Sequence, residues 1–334
     1  MKHVFRKTSL LLATAVLTLG AGTVSAKPIR IGAAVYGLQA EFMQLWSNAA
    51  KQHPAVKSGE VEVTVFDGRY DALVQENQFD TMVTRQFDAI VFVPIDAEAC
   101  ASAVAKAAAA NIPVIGSNTR CNSDQLASFV GSDDVKAGEM VANAVLEKMG
   151  FKGNVVVIEG PIGQSAQIDR AQGIKNVLDK NSNVTVLEKR TANWSRAEAL
   201  SLMENWLTSY RGNIGGIIAQ NDEMALGAIE AIKAAGLKVD DFSIAGVDGI
   251  TDALRAVKDG SMESVLQDAE AQAQGAIDVA IRQVIGSRYQ PKSPIWTAYQ
   301  ADMAWADGMK KHYNVPWTPV TRDNVEKLLS KRGN

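Results

Sequence analysis

Cysteine, histidine and aromatic residues are all scarce in this chain. Two cysteines, three histidines and 6% aromatics occur in 334 residues. Neither Cys100 nor Cys121 stands in a metal-ligand or nucleophile context, and three scattered histidines cannot build a metal cluster. No Gly-x-x-x-x-Gly-Lys-Ser/Thr stretch occurs, which excludes a P-loop nucleotide hydrolase. The segment from Gly32 to Gly37 lacks the Gly-x-Gly-x-x-Gly of a dinucleotide-binding turn. No basic cluster argues for nucleic acid. Beyond the N-terminal segment, no apolar run is long enough to span a bilayer.

What is present is an ordinary globular composition, 47% hydrophobic and 21% charged, with length enough for two domains. The N-terminus reads as an export signal. Lys2, Arg6 and Lys7 precede the apolar run Leu10 to Leu19, and Val24-Ser25-Ala26 offers small residues to a signal peptidase, so cleavage is expected after Ala26. No cysteine lies near the cut, which argues against a lipoprotein anchor. The mature chain then carries 31 basic and 37 acidic residues, net −6. It is expected to be soluble and periplasmic. In that compartment an even cysteine count allows a Cys100–Cys121 disulfide. Each cysteine follows one of two successive predicted strands, so the two could meet at one edge. The alternative is a pair of separate buried thiols.

From Lys27 the pattern alternates strand and helix, which predicts an α/β fold with parallel sheets covered on both faces. Predicted strands run Ile29 to Val35, Val61 to Phe66, Ala89 to Val93 and Ile112 to Gly116. After Gly131-Ser132-Asp133 the pattern restarts, so two similar lobes are expected. Residues 27–132 plus 268–296 form the first lobe in this reading, and 133–267 plus 297–334 the second. The tail around Trp296, Tyr299, Met303 and Trp305 reads as an added amphipathic segment, its aromatics serving packing.

In open α/β sheets ligands bind just beyond the carboxyl ends of strands. Those ends present Tyr36, Phe42, Asn118, Arg170, Trp194, Asn221, Asp248 and Gln267. Planar amides, one guanidinium, one carboxylate and aromatic faces suit vicinal hydroxyls and the C–H face of a sugar or polyol. No nucleophile–base pair and no proton-transferring carboxylate pair is among them, so no enzyme activity and no cofactor are expected. Each residue also has a plainer reading. Asn221 could be only a helix cap, with Asp222 the better cap candidate if Asn221 contacts ligand. Asp248 could be only a turn residue, Trp194 core, and Arg170 a surface partner of Asp169 or Glu139. Their shared position at strand ends favours one site.

The stretch Ala219-Gln220-Asn221-Asp222-Glu223-Met224-Ala225-Leu226-Gly227 resembles the signature of periplasmic sugar-binding proteins of the ribose/galactose type. These are the type I solute-binding proteins of ABC importers, and they share their fold with LacI-type repressors. Asn111-Ile112-Pro113-Val114-Ile115, Gly131-Ser132-Asp133, Ser165-Ala166 with Arg170 and Gly173, and Gly246-Val247-Asp248-Gly249 extend the likeness over residues 29 to about 296. The resemblance implies two Rossmann-like lobes, a three-segment hinge and closure on one sugar. Phe42 and Trp194 would stack on the ligand, while Arg170, Asn221, Asp248 and Gln267 would bind hydroxyls. Asn118 stands where the ribose-binding pattern has an aspartate, and Thr119 where it has an arginine. Met43 replaces a ring, Ala40 replaces an asparagine, and Tyr36 adds a ring. These departures point away from ribose, toward a sugar alcohol, a cyclitol or a differently oriented monosaccharide.

The expected partners are a sugar or polyol and a membrane permease of an ABC importer, with the protein a monomer. A chemoreceptor partner fits the same fold. A repressor would need a DNA-binding helix pair where this chain has its export signal.

Overall fold

Uninterrupted apolar strands need cover on both faces, and here helices supply it. The computed structural model describes residue 1 and residues 27–332, and the expected export signal lies outside the described stretch. The first lobe runs β1 (Ile29–Val35), α1 (Glu41–Lys51), α2 (Pro54–Lys57), β2 (Val61–Asp67), α3 (Ala72–Thr84), β3 (Ala89–Val93), α4 (Cys100–Ala109), β4 (Val114–Ser117) and β5 (Ser128–Gly131). All five residues of the central β3 are buried. The chain then crosses over and begins again. The second lobe runs α5 (Asp134–Lys148), β6 (Gly153–Glu159), α6 (Ser165–Leu178), β7 (Val184–Thr191), α7 (Arg196–Tyr210), β8 (Gly216–Ala219), α8 (Asp222–Ala234), β9 (Ser243–Asp248), α9 (Thr251–Asp259) and β10 (Glu263–Leu266).

Helix α10 (Ala269–Ile285) returns to pack on the first sheet, followed by α11 (Ile295–Ala298). Strand β11 (His312–Asn314) joins the first sheet beside β5, and β12 (Thr318–Val320) joins the second, antiparallel to β10. The closing helix α12 (Val325–Ser330) packs on α9. Pro319 is tolerated because β12 is an edge strand.

The two sheets have matching orders, β2-β1-β3-β4-β5-β11 and β7-β6-β8-β9-β10-β12. Each therefore has its strand-order reversal at the first strand of its lobe, which is where α/β sheets open a crevice. Three segments cross between the sheets: 132–133, 267–268 and 315–317.

One expectation is corrected. Residues 297–314 stay with the first lobe rather than the second. Trp296, Trp305 and Tyr313 pack on one another with ring centroids 4.6 to 6.5 Å apart, and β11 extends the first sheet. The segment holds little regular helix, so its aromatic spacing reflected this cluster and not an amphipathic face.

Cys100 and Cys121 are bonded, with Cα atoms 5.8 Å apart. The bridge joins the start of α4 to the loop after β4, and β3 and β4 are neighbours as successive strands often are. Thr119 Oγ1 donates to Pro94 O at 2.7 Å, and Asn122 N donates to Ala97 O at 2.7 Å. Together these clip the two loops that form the first lobe's cleft edge.

Candidate ligand-binding site

All eight residues expected at the cleft line one cavity between the lobes, and none is more than 6% exposed. The walls close on one another and leave a cavity of about 10 Å³, roughly the room of one water. Ala40, Thr119, Gln164 and Ala166 complete its wall. Met43 is fully buried and does not line it, so that departure bears on the core beneath the site.

Arg170 is the best-anchored side chain. Its Nε donates to Asp134 Oδ1 at 2.8 Å, Nη1 to Gln220 O at 2.6 Å and Nη2 to Gln267 Oε1 at 3.4 Å. A guanidinium has five N–H groups, so the protein leaves donors over for the cavity. Nη1 also lies 3.9 Å from Asp248 Oδ1. Burial alone would lower the Arg170 pKa, but Asp134 and Asp248 outweigh it and raise it. The surface pairing with Asp169 or Glu139 does not occur. Asp169 pairs with Arg120 at 2.7 Å, and Glu139 accepts from Asn176. Backbone packing sets the position of Arg170. A Cβ on Gly138 would fall 2.2 Å from the Arg170 carbonyl oxygen, so only glycine lets α5 and α6 approach this closely.

Asp248 ends β9 with φ 126°, and burial pushes its carboxyl well above the usual range despite the Arg170 charge. Asn118 (φ 59°) and Trp194 (φ 60°) are also left-handed. Such backbone is costly for residues other than glycine and concentrates at functional sites. Trp194 lies against Gly160, where a Cβ would meet its ring at 2.1 Å. Its Nε1 donates to Gln164 Oε1 at 2.6 Å, which fixes the ring plane toward the cavity.

Each amide has one end held by protein. Asn118 Nδ2 donates to Gln272 Oε1, leaving Oδ1 to accept. Asn221 Oδ1 accepts from Met224 N at 3.0 Å, so Asn221 is the cap of α8, and its amide nitrogen stays available. This corrects the expectation that Asp222 is the cap, while Asn221 still lines the cavity. Asp222 is no cap; it accepts from Gly249 N, Ile250 N and Ser264 Oγ and fixes the turn after Asp248. Burial raises the Asp222 carboxyl to about 7 against those three donors. Gln267 Nε2 is buried without a protein partner. Tyr36 lies 5.5 Å from the Tyr70 ring, and burial pushes its hydroxyl well above the usual range, so it serves as a neutral donor and acceptor.

Gln164 and Gln220 were not anticipated. Gln164 closes the loop between β6 and α6, and the strand-end rule applied to that loop would have found it. Gln220 braces the site from behind, with Oε1 accepting from Gly160 N and Nε2 donating to Gln167 O.

The lobes touch across the cleft. Arg120 bonds Asp169 and, through its amide, Ser165 Oγ at 2.7 Å. Ala97 N donates to Gly163 O, Gln164 Nε2 to Pro94 O and Thr251 N to Glu41 Oε1. The arrangement is a closed one.

A family model described as a periplasmic binding protein domain matches residues 31–288. The chain belongs to the periplasmic binding proteins. This periplasmic binding protein is 36% identical to the xylitol-binding protein of Mycolicibacterium smegmatis, over 92% of this chain and 82% of that one. It is 32% identical to the ribose import binding protein of Bacillus subtilis, over 72% of this chain and 76% of the relative. A solved ABC transporter solute-binding protein from Bacillus halodurans, with bound myo-inositol, superposes with TM-score 0.80 at 31% identity. That match covers 92% of this chain and 99% of the other. The two-lobed α/β architecture is that of type I periplasmic binding proteins. Among the described residues no group of His, Cys, Asp and Glu could hold a metal ion, and no helix is long and apolar enough to cross a membrane.

Proposed function

We propose that this chain is a periplasmic receptor for one small neutral polyhydroxylated molecule, a sugar alcohol or cyclitol before an aldose, and that it delivers this ligand to an ABC importer. The observation that carries the reading is the makeup of the cavity wall. Among the described residues of the wall, the basic and acidic side chains are Arg170 and Asp248, both of the second lobe, while the first lobe offers Tyr36, Phe42, Asn118 and Thr119. Hydroxyls need donors and acceptors in pairs, and the free ends of Asn118, Asn221 and Gln267 supply them. The rings of Phe42 and Trp194 would take the C–H edges.

Contact from both lobes is what lets a ligand favour the closed form, because closure responds only to a difference in affinity between the two states. The relatives named for xylitol and crystallised with myo-inositol support the polyol side of this reading. In this role the protein performs no catalysis.

Mass identification of the small molecule that copurifies with the mature protein, followed by a melting-shift panel, tests the proposal. Pentitols and inositols should stabilise the protein more than ribose or glucose do. A panel in which pentoses and hexoses stabilise more than every polyol removes the polyol reading and keeps the receptor role.

A further inference from the structure

All three interlobe crossings converge on one guanidinium. Asp134, the first residue of α5 after the 132–133 crossing, holds Arg170 Nε at 2.8 Å. Gln267, inside the second crossing, accepts from Nη2 at 3.4 Å. Trp317, inside the third, lies with its ring 5.6 Å from the guanidinium carbon. Trp194, in the cavity wall, lies 5.5 Å from the same carbon. The crossings are also tied to each other: Trp317 Nε1 donates to Asp133 O at 2.7 Å, and Val315 N to Gly131 O at 2.7 Å.

The structure assigns Arg170 a second role as the joint that couples the ligand cavity to the hinge, with Trp317 as a positioning residue that acts through it without lining the cavity. A guanidinium is planar and its donors are fixed in direction. A ligand hydroxyl that takes its remaining N–H groups therefore sets the plane that Asp134, Gln267 and Trp317 meet. Because Arg170 is buried, these charge-assisted and cation–π contacts are little weakened by solvent. Trp317 is half-buried and touches Arg170 from the tail segment, so its replacement leaves the cavity wall unchanged.

Hydrogen exchange on the ligand-free protein tests the coupling independently of the ligand reading on which the role in binding rests. Trp317→Leu should speed exchange at least tenfold at 131–136 and 265–268 as well as at 315–317. The milder Trp317→Phe keeps a ring over Arg170 and should speed the remote segments two- to threefold. Faster exchange confined to 315–317 in either variant would mean local packing only and overturn the inference. Titration with xylitol reads the same coupling through binding: affinity should fall about tenfold in Trp317→Leu and stay within threefold in Trp317→Phe. Unchanged affinity in Trp317→Leu contradicts the coupling. If the wild type binds neither xylitol nor any other polyol or sugar, the proposed ligand class fails and the exchange pattern alone decides the hinge role.

Discussion

In the proposed function Asp248 matters for binding and hardly at all for folding. It is buried, its pKa is pushed far up, and its nearest cation is Arg170 at 3.9 Å, already paired with Asp134. Removing a buried carboxyl with so little compensation should cost the fold nothing. Asp248→Ala should therefore abolish ligand binding while the ligand-free melting temperature holds or rises, measured by titration and by calorimetry. A normal affinity would remove Asp248 from the site. Asp222 predicts a pH effect. Its carboxyl stands near 7 in the folded chain, against about 4 when unfolded. Between those values the native state keeps a proton that the unfolded chain has released. Its contribution to stability is thus full below pH 4 and is lost as pH rises toward 7. Asp222→Asn should flatten the decline in melting temperature between pH 4 and 7, and an unchanged slope would place the effect elsewhere. Residue roles were only half legible in the sequence. The strand-end rule found eight of the twelve residues that line the cavity, because residue position in such sheets follows chain order. It could not tell whether Asn221 or Asp222 caps α8, since both are good capping types and only the turn at Gly249 and Ile250 claims Asp222.

Among the elements, the loops after β3 and β4 carry Asn118 and Thr119 of the cavity wall and the cross-cleft contacts of Pro94, Ala97 and Arg120, and they contain little regular structure of their own. Cys100–Cys121 links positions 21 apart in sequence. Chain entropy puts the stabilisation of such a bridge at about 3 kcal/mol. Cys100→Ser with Cys121→Ser should lower the unfolding free energy by about that amount. It should also weaken ligand binding, because the clipped loops carry Asn118, Thr119 and the cross-cleft residue Arg120. Denaturant melts and titration of the double variant check both parts; lost stability with unchanged affinity would limit the bridge to a structural role. Element identity was largely visible in the sequence: β3 and β8 are unbroken apolar runs, and Asn221 starts a helix with clear periodicity. The tail was not. Strand β11 is three residues long, with only Tyr313 buried, and nothing in so short a run announces which sheet it joins.

At the scale of the whole molecule, two sheets of matching order face each other across crevices opened by the same topological reversal. Three crossings hold them, and contacts such as Arg120–Asp169 and Glu41–Thr251 bring their rims together. The Arg120–Asp169 pair, with Arg120 half exposed, contributes little alone. In the proposed function, a ligand that touches both walls adds to the stability of the closed state. In the proposed function one neutral polyol occupies this cavity and bridges Asn118 on one lobe to Asp248 on the other. Calorimetric titration of the mature protein with the copurifying molecule tests it most directly. The account predicts one site per chain, with binding lost in Asp248→Ala and sharply weakened in Asn118→Ala. Binding that survives both substitutions would contradict it.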